Sequence, residues 1–336
     1  MSKSNKWIIA AALSGFLFGF DTVVISGANL PIKELWSTGP FFHGFFIMSM
    51  ALWGTVVGAL FGSYPTNKLG RKITLSWIGL FFLISALGSA LAMDPFTFSF
   101  FRFIGGLAVG VSSIAAPIYI SEISPPQKRG SLGVLYQFSL VFGILIAFFS
   151  NYLLTGFQGI HDWRWMLGVE AIPALFYLLM TFYIPDTPRW HILFQNNDKR
   201  ALKTLEDIYG KGSEAQSVFD EIKSTDQVIA EKNKLISKKS QKVLILAFLI
   251  SFFNQLSGIN FILYYAPEIL QMAGFVTKES LFNSVFIGLT NIVFTFAGLM
   301  LIDKLGRKQL LIIGSLGYII SLSGVTIAFY QGLNPQ

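Results

Sequence analysis

Long apolar stretches alternate with short polar breaks along almost the whole chain. Nine of these stretches are long enough to cross a lipid bilayer as helices, which takes about 20 mainly apolar residues each. They cover residues 7–30, 44–64, 73–92, 96–120, 131–154, 165–184, 243–264, 281–302 and 310–330. The pattern predicts an all-α membrane protein. One polar stretch, 186–242, separates six spans from three and reads as short amphipathic helices, for example 198–209 and 215–234. The domain expectation is therefore a six-helix bundle over 1–184, a helical linker over 185–242, and a three-helix segment over 243–336.

The polar breaks repeat. Lys68-Leu69-Gly70-Arg71-Lys72 returns unchanged as Lys304-Leu305-Gly306-Arg307-Lys308, each copy in a short basic loop between two apolar stretches. Two related halves are implied. The first copy is followed by four further spans before the polar linker and the second copy by one, so the second half is expected to be incomplete.

Composition supports lipid as the solvent. The 336 residues are 53% hydrophobic and 13% charged, with 34 Phe and a mean hydropathy of +0.59. A soluble domain carries roughly 25% charged residues. Lys3 and Lys6 before an apolar run resemble the start of a signal peptide, but Asp21 interrupts that run and no clean small-x-small site follows. The first stretch is therefore read as a span. The net charge of +7 could suggest nucleic acid, yet its placement argues against that partner. With the N-terminus inside, the inner segments hold Lys3, Lys6, Lys68, Arg71, Lys72, Lys128, Arg129, the basic residues of 189–242, Lys304, Arg307 and Lys308. The outer segments hold only Lys33, Arg164 and Lys278. The positive-inside rule favours this orientation.

No cysteine is present, which excludes disulfides and thiolate metal sites. No His/Cys/Glu cluster, phosphate-cradling Gly-Lys-Ser motif or Ser/His/Asp arrangement occurs. The linker is too short for an enzyme domain and holds one histidine, His191. No cofactor and no enzymatic activity are expected, and energy for any transport must come from a gradient.

Three ionisable groups fall inside spans, where each costs about 2.5–3.5 kcal/mol on insertion scales. Asp21 lies about 20 Å down the first helix at 1.5 Å per residue. Arg102 and Glu170 lie five or six residues from the outer ends of the fourth and sixth spans, at a similar depth. A buried aspartate must be neutral or find a cation, and Arg102 is the only strong cation within a span. Two readings stand level at this point. One is a proton site whose occupancy is tied to conformation, and the other a structural ion pair.

The seventh span carries Asn254-Gln255-Leu256-Ser257-Gly258-Ile259-Asn260, then Tyr264-Tyr265-Ala266-Pro267. Gly258 and Pro267 are expected to loosen the helix on either side of Asn260, and broken helices at mid-membrane are where transporters hold substrate. Amides donate and accept without charge, which suits a neutral ligand with many hydroxyls. Buried amides also glue helices together; for three amides and two tyrosines within twelve residues, substrate contact is the preferred reading. Gly105, Gly106 and Gly110 are expected to let the fourth span approach a neighbour closely.

These residues together resemble the sugar porter family of the major facilitator superfamily, from about Gly15 to the chain end. The motifs are Gly19-Phe20-Asp21 with Ile25-Ser26-Gly27, then Asn67-Lys68-Leu69-Gly70-Arg71-Lys72, and Arg102 with Gly105-Gly106. Pro117-Ile118-Tyr119-Ile120-Ser121-Glu122 follows, with Lys128-Arg129-Gly130, Trp163-Arg164-Trp165, and Pro185-Asp186-Thr187-Pro188-Arg189-Trp190. Gln255-Leu256-Ser257-Gly258-Ile259-Asn260 and Asp303-Lys304-Leu305-Gly306-Arg307-Lys308 complete the set.

The resemblance implies the major facilitator fold, here a complete N-terminal six-helix bundle plus the first three helices of the C-terminal bundle. It implies alternating access and a monosaccharide substrate in a cytoplasmic membrane. It further implies that Asp21 is the proton site beside Arg102, with Glu170 as a modulator. Sugar contacts are implied at Gln137, Asn254, Gln255, Asn260 and Asn291. A cytoplasmic latch is implied at Arg71, Glu122, Arg129, Asp186, Arg189, Asp303 and Arg307. Asn254 stands where many members carry glutamine, and Asn67 where aspartate is usual. The expected partners are a monosaccharide, protons and lipid. The leading expectation is sugar:proton symport, with a uniporter, a non-transporting sensor or an inactive truncated product as alternatives.

Overall fold

The computed structural model describes residues 3–230 and 238–332; the side chains of 225–230, 238–240 and 303 fall outside the description. Every regular element among the described residues is a helix. We label them α1 Lys3–Leu35, α2 Pro40–Phe61, α3 Arg71–Leu91, α4 Pro95–Ile123, α5 Arg129–Leu154, α6 Asp162–Gly168, α7 Ala171–Thr181, α8 Pro188–Leu193, α9 Asp198–Tyr209, α10 Ser213–Ala230, α11 Lys238–Leu256, α12 Ile259–Met272, α13 Thr277–Ile302 and α14 Lys304–Tyr330.

Local sequence explains the boundaries. Asp94 caps α4 by accepting from the Phe96 and Thr97 amides at 2.9 and 3.0 Å, with Pro95 at the first helical position. Proline is tolerated there because its missing N–H would be unpaired anyway. Thr187 caps α8 and Asn197 caps α9 in the same way. Four differences from the expected spans are instructive. The sixth span loses its regular hydrogen-bond ladder at Val169–Glu170, between α6 and α7, although both residues keep helical dihedrals (φ −62°, ψ −25° and φ −60°, ψ −26°). Pro173 just beyond has no N–H to offer the Val169 carbonyl. The seventh is two helices, α11 and α12, because Gly258 adopts φ +80°, ψ 10°, the left-handed region that favours glycine. The second span contains a π-helical stretch, His43–Met48. The second linker helix begins at Ser213, and the expected end at Lys234 lies outside the described residues.

The core sits around α1. Its buried residues Ile8, Ala11, Leu17, Val23, Val24, Ile25, Ala28 and Ile32 pack against α3, α4, α5, α6 and α12. Small residues set the closest approaches. Added methyl groups on Gly106 and Gly110 would strike the backbone of α2, and one on Gly143 of α5 would strike the backbone of α1. This fulfils the packing role expected for the α4 glycines. One end of the bundle carries the basic loops and packs against a small cluster of Ile192, Ala201, Leu205, Ala215 and Phe219 in α8–α10. Lys3 ties α1 to α9 through Asp207 at 2.6 Å. At the opposite end Trp36 meets Trp163 edge-on, centroids 5.6 Å apart, with Phe98 against both.

The outward faces are apolar. Phe41, Leu60, Leu91, Phe100, Ile172 and Phe176 are all exposed, as are all the described side chains of α11. α13 packs along α5 through Phe138–Phe296 and Tyr152–Phe282 ring pairs. Among the described residues eight segments are long and apolar enough to cross a membrane; the ninth expected span is the interrupted α6–α7 pair.

Candidate functional site

Asp21 of α1 and Arg102 of α4 meet in the bundle interior. Arg102 Nη1 donates to Asp21 Oδ1 at 2.5 Å, and Nη2 to the Asp21 backbone carbonyl at 3.0 Å. Both side chains are about 2% exposed or less. Two bonds from one guanidinium to one residue fix the register of α4 against α1. Glu170, where the ladder of the sixth span is interrupted, lies beside the pair and is buried. Tyr264 of α12 faces Arg102 from the second half of the chain. One oxygen of each carboxyl, Asp21 Oδ2 and Glu170 Oε1, and Arg102 Nε have no hydrogen-bond partner among the described residues. Two carboxyl oxygens of the site therefore stay open to a further hydrogen-bond donor. Such capacity in a dry interior is costly unless it has a use.

The residues expected to contact a ligand are less gathered. The Asn260 amide donates to Gln255 Oε1 at 2.8 Å across the Gly258 break. Ser257 donates to the Asn254 carbonyl. Asn254, Gln255 and Gln137 are exposed, and Asn260 and Asn291 are half-buried. No described contact joins Gln137 or Asn291 to the α11–α12 amides.

At the basic end the expected latch residues form a first-half network. Arg71 donates to both oxygens of Glu122 at 3.0 Å, a bidentate pair. Thr187 donates to Glu122 at 2.6 Å, and the Lys72 amide to Asp186 Oδ1 at 2.8 Å. Burial pushes the Asp186 carboxyl above the ordinary carboxylate range, opposed chiefly by the Lys72 amide. Burial also lowers His191, opposed by Asp186. Lys72, Thr187 and the Trp190 indole, which donates to the Asn67 carbonyl at 2.8 Å, stand in the motifs quoted above but were given no latch role there. Arg189 sits in α8, while Arg129 and Arg307 are exposed and outside the described ion pairs. The side chain of Asp303 lies outside the described residues.

The opposite end holds a link that the sequence did not reveal. Asn29 Nδ2 donates to Glu268 Oε2 at 2.6 Å, joining α1 to α12. The Asn29 carbonyl oxygen then faces His43 Nε2 at 2.6 Å, so that nitrogen is the donor, and His43 Nδ1 accepts from Thr38 at 2.8 Å. A cavity of about 640 Å³ lies alongside, lined by Ser26, Glu34, Asp162, Glu268 and Gln271 among others.

Comparison with known proteins places the chain as a whole. The profile described as "Sugar (and other) transporter" matches residues 7–336. The arabinose-proton symporter of Bacillus subtilis is 36% identical over 328 residues, 96% of this chain and 70% of that protein. The galactose-proton symporter of Escherichia coli is 37% identical over 335 residues, 97% of this chain and 70% of the relative. Among solved structures, the xylose transporter XylE from E. coli in a partially occluded inward open conformation superposes with a TM-score of 0.87 at 31% identity. That match covers 98% of this chain and 80% of that one. XylE bound to 6-bromo-6-deoxy-D-glucose gives 0.84 at 31% identity, over 100% and 77% of the two chains. The chain thus spans about 70% of the length of these curated relatives, and its helices are the N-terminal bundle and the first three helices of the second. It belongs to the sugar porter family of the major facilitator superfamily, a family of membrane transporters rather than enzymes.

Proposed function

We propose that this protein carries a monosaccharide, a pentose or hexose, across the cytoplasmic membrane by proton symport with alternating access. The observation that carries the reading is the buried Asp21–Arg102 pair with Glu170 beside it. A proton arriving at Asp21 cancels the carboxylate charge and frees Arg102. That changes what holds α1 to α4 and makes the packing of the bundle depend on proton occupancy. Relatives named as arabinose-, xylose- and galactose-proton symporters support the coupling.

In this reading the N-terminus and the basic loops face the cytoplasm, and residues 1–184, 185–242 and 243–336 act as bundle, linker and second bundle. The sugar is held between the halves by Gln137, Asn254, Gln255, Asn260 and Asn291, whose amides match hydroxyls as donor and acceptor. The Arg71–Glu122 network, with Asp186, Arg189, Arg129, Asp303 and Arg307, latches the cytoplasmic side. The test is uptake by the purified chain in liposomes under an imposed pH gradient. Wild type accumulates sugar above the outside concentration, and Asp21→Asn abolishes accumulation while sugar–sugar exchange persists. Accumulation by Asp21→Asn would overturn proton coupling through this carboxylate and leave uniport or another proton site.

A further inference from the structure

At the end of the bundle opposite the basic loops, hydrogen bonds run in series through four side chains. Thr38 meets His43 Nδ1 at 2.8 Å, His43 Nε2 meets Asn29 Oδ1 at 2.6 Å, and Asn29 Nδ2 reaches Glu268 Oε2 at 2.6 Å. Asn29 and His43 are 2% and 4% exposed. The donor and acceptor roles follow from the far end of the series. A carboxylate only accepts, so Asn29 must turn its amide nitrogen towards Glu268. Its carbonyl oxygen then points at His43 and needs a donor, which puts the ring proton on Nε2. Nδ1 is left with a lone pair, and the Thr38 hydroxyl donates to it. Bonds in such a chain polarise one another, which strengthens each of them in a dry interior.

The series is divided unevenly between the two halves of the chain. Asn29 belongs to α1, Thr38 to the loop after it, and His43 opens the π-helical stretch of α2. Stretches of that kind are rare and recur at functional sites. Glu268 alone comes from the second half, in α12. Among the described residues, its bond to Asn29 is the one hydrogen bond that crosses between the halves at this end. The first half thus carries a preassembled grip, and the second half supplies what it holds. The cavity of about 640 Å³ lies beside the link, lined by Ser26 and Leu30 from α1 and by Glu268 and Gln271 from α12. Ser26 sits deeper than Asn29 on the same face of α1. It is 5% exposed, and its hydroxyl has no partner among the described residues.

We propose that His43 is a positioning residue of an outer gate: it locks the Asn29 amide in the orientation that grips Glu268, and the grip holds α1 against α12 while the outer side is shut. Opening to the outside breaks the Asn29–Glu268 bond and leaves the Thr38–His43–Asn29 series intact, so the grip is ready when α12 returns. Without the imidazole, Asn29 Oδ1 is a buried acceptor with no donor, which costs free energy in the shut state. The amide is then free to turn, and the shut state loses its bond to the carboxylate as well. This rests on the symport reading, in which this end faces outside and the halves part there in one stage of transport.

The test makes Ser26→Cys in the full chain, which has no cysteine of its own, and measures its labelling by a membrane-impermeant maleimide in right-side-out vesicles. In this background His43→Phe is expected to raise the labelling rate about tenfold, the low end of what a hydrogen bond to a charged group contributes. His43→Gln, whose amide nitrogen reaches the place of Nε2, stays within about twofold of the parent, the additivity error of independent sites. Asn29→Ala raises labelling as His43→Phe does. Adding His43→Phe to it changes the rate by less than about twofold, because the ring acts through Asn29. Asn29→Asp keeps the bond from His43 but sets a second carboxylate against Glu268, and at about pH 8, where both ionise, it opens the gate by at least the same factor. Labelling at the parent rate in His43→Phe or in Asn29→Asp overturns the proposal. So does an equal effect of His43→Phe with and without Asn29, which marks a general loosening of α2. The orientation fails separately, if the variants speed labelling in inside-out vesicles alone, and the symport reading if Asp21→Asn still accumulates sugar.

Discussion

Replacing Arg102 by methionine removes the cation from a carboxylate about 1% exposed and deletes both bonds, to Asp21 Oδ1 at 2.5 Å and to its carbonyl at 3.0 Å. Deleting one partner of a buried pair costs about 3–5 kcal/mol because an uncompensated charge stays behind, whereas replacing both by neutral groups of similar volume is often near neutral. Asp21→Asn combined with Arg102→Met is therefore expected to be more stable than Arg102→Met alone. Glu170 remains beside the site in every variant, so part of the loss persists, and the expected coupling in the double-mutant cycle is about 2 kcal/mol. That is roughly a thirtyfold change in the unfolding equilibrium. Reversible unfolding in mixed micelles, followed by tryptophan emission, measures all four corners. A coupling below about 0.5 kcal/mol, the size of additivity error for independent sites, would refute the contact.

Three further outcomes follow from other parts of the molecule. Burial raises Asp186 above its ordinary value, so its protonated form favours the folded latch; that contribution is present below the ordinary value and is lost as pH rises through the raised one. Asp186→Asn should therefore gain most in melting temperature near neutral pH, with the gain shrinking as pH falls, and a gain independent of pH would contradict this. Since the chain has no cysteine, Asn29→Cys with Glu268→Cys should be joined by a short bifunctional thiol reagent, giving a faster-migrating band than either single variant; equal mobility would show that α1 and α12 do not meet there. Gly258→Val should cost about 1–2 kcal/mol from forcing a Cβ into the left-handed region, since nothing lies within 4 Å of a Cβ built there; unchanged unfolding would mean that α11 and α12 run straight through.

The spans and the depth of the ionisable groups were legible because both depend on one-dimensional rules. Helical rise converts position into depth, and that arithmetic brought Asp21, Arg102 and Glu170 to one level before any contact was known. The Gly258 break was legible too, from glycine's backbone freedom. The interruption at Glu170 was not, although Pro173 stood nearby, because an apolar composition reads the same for one helix as for two. The Asn29–His43–Glu268 link was invisible for a different reason. Its partners are 239 positions apart for Asn29 and Glu268, and no local periodicity records which polar side chains of distant helices face each other. Ser85 read as one small residue of an apolar span. Only the partners its hydroxyl lacks set it apart from Ser76, about two and a half turns earlier on the same helix.

The edge-on packing of Trp36 against Trp163 has an optical consequence. Trp36 follows α1, Trp163 opens α6, and the Arg164 guanidinium sits 4.4 Å above the Trp163 ring centroid. Indole emission responds to a neighbouring ring and to a cation over its face, so any shift of the α1 terminus relative to α6 alters the colour and yield of these two residues together. Trp53, Trp77 and Trp165 are about half exposed on the outer surface and supply a steadier background set by the surrounding lipid. The protein thus has an internal light gauge at the end far from its basic loops, readable in an unlabelled membrane sample while ligand or pH is varied.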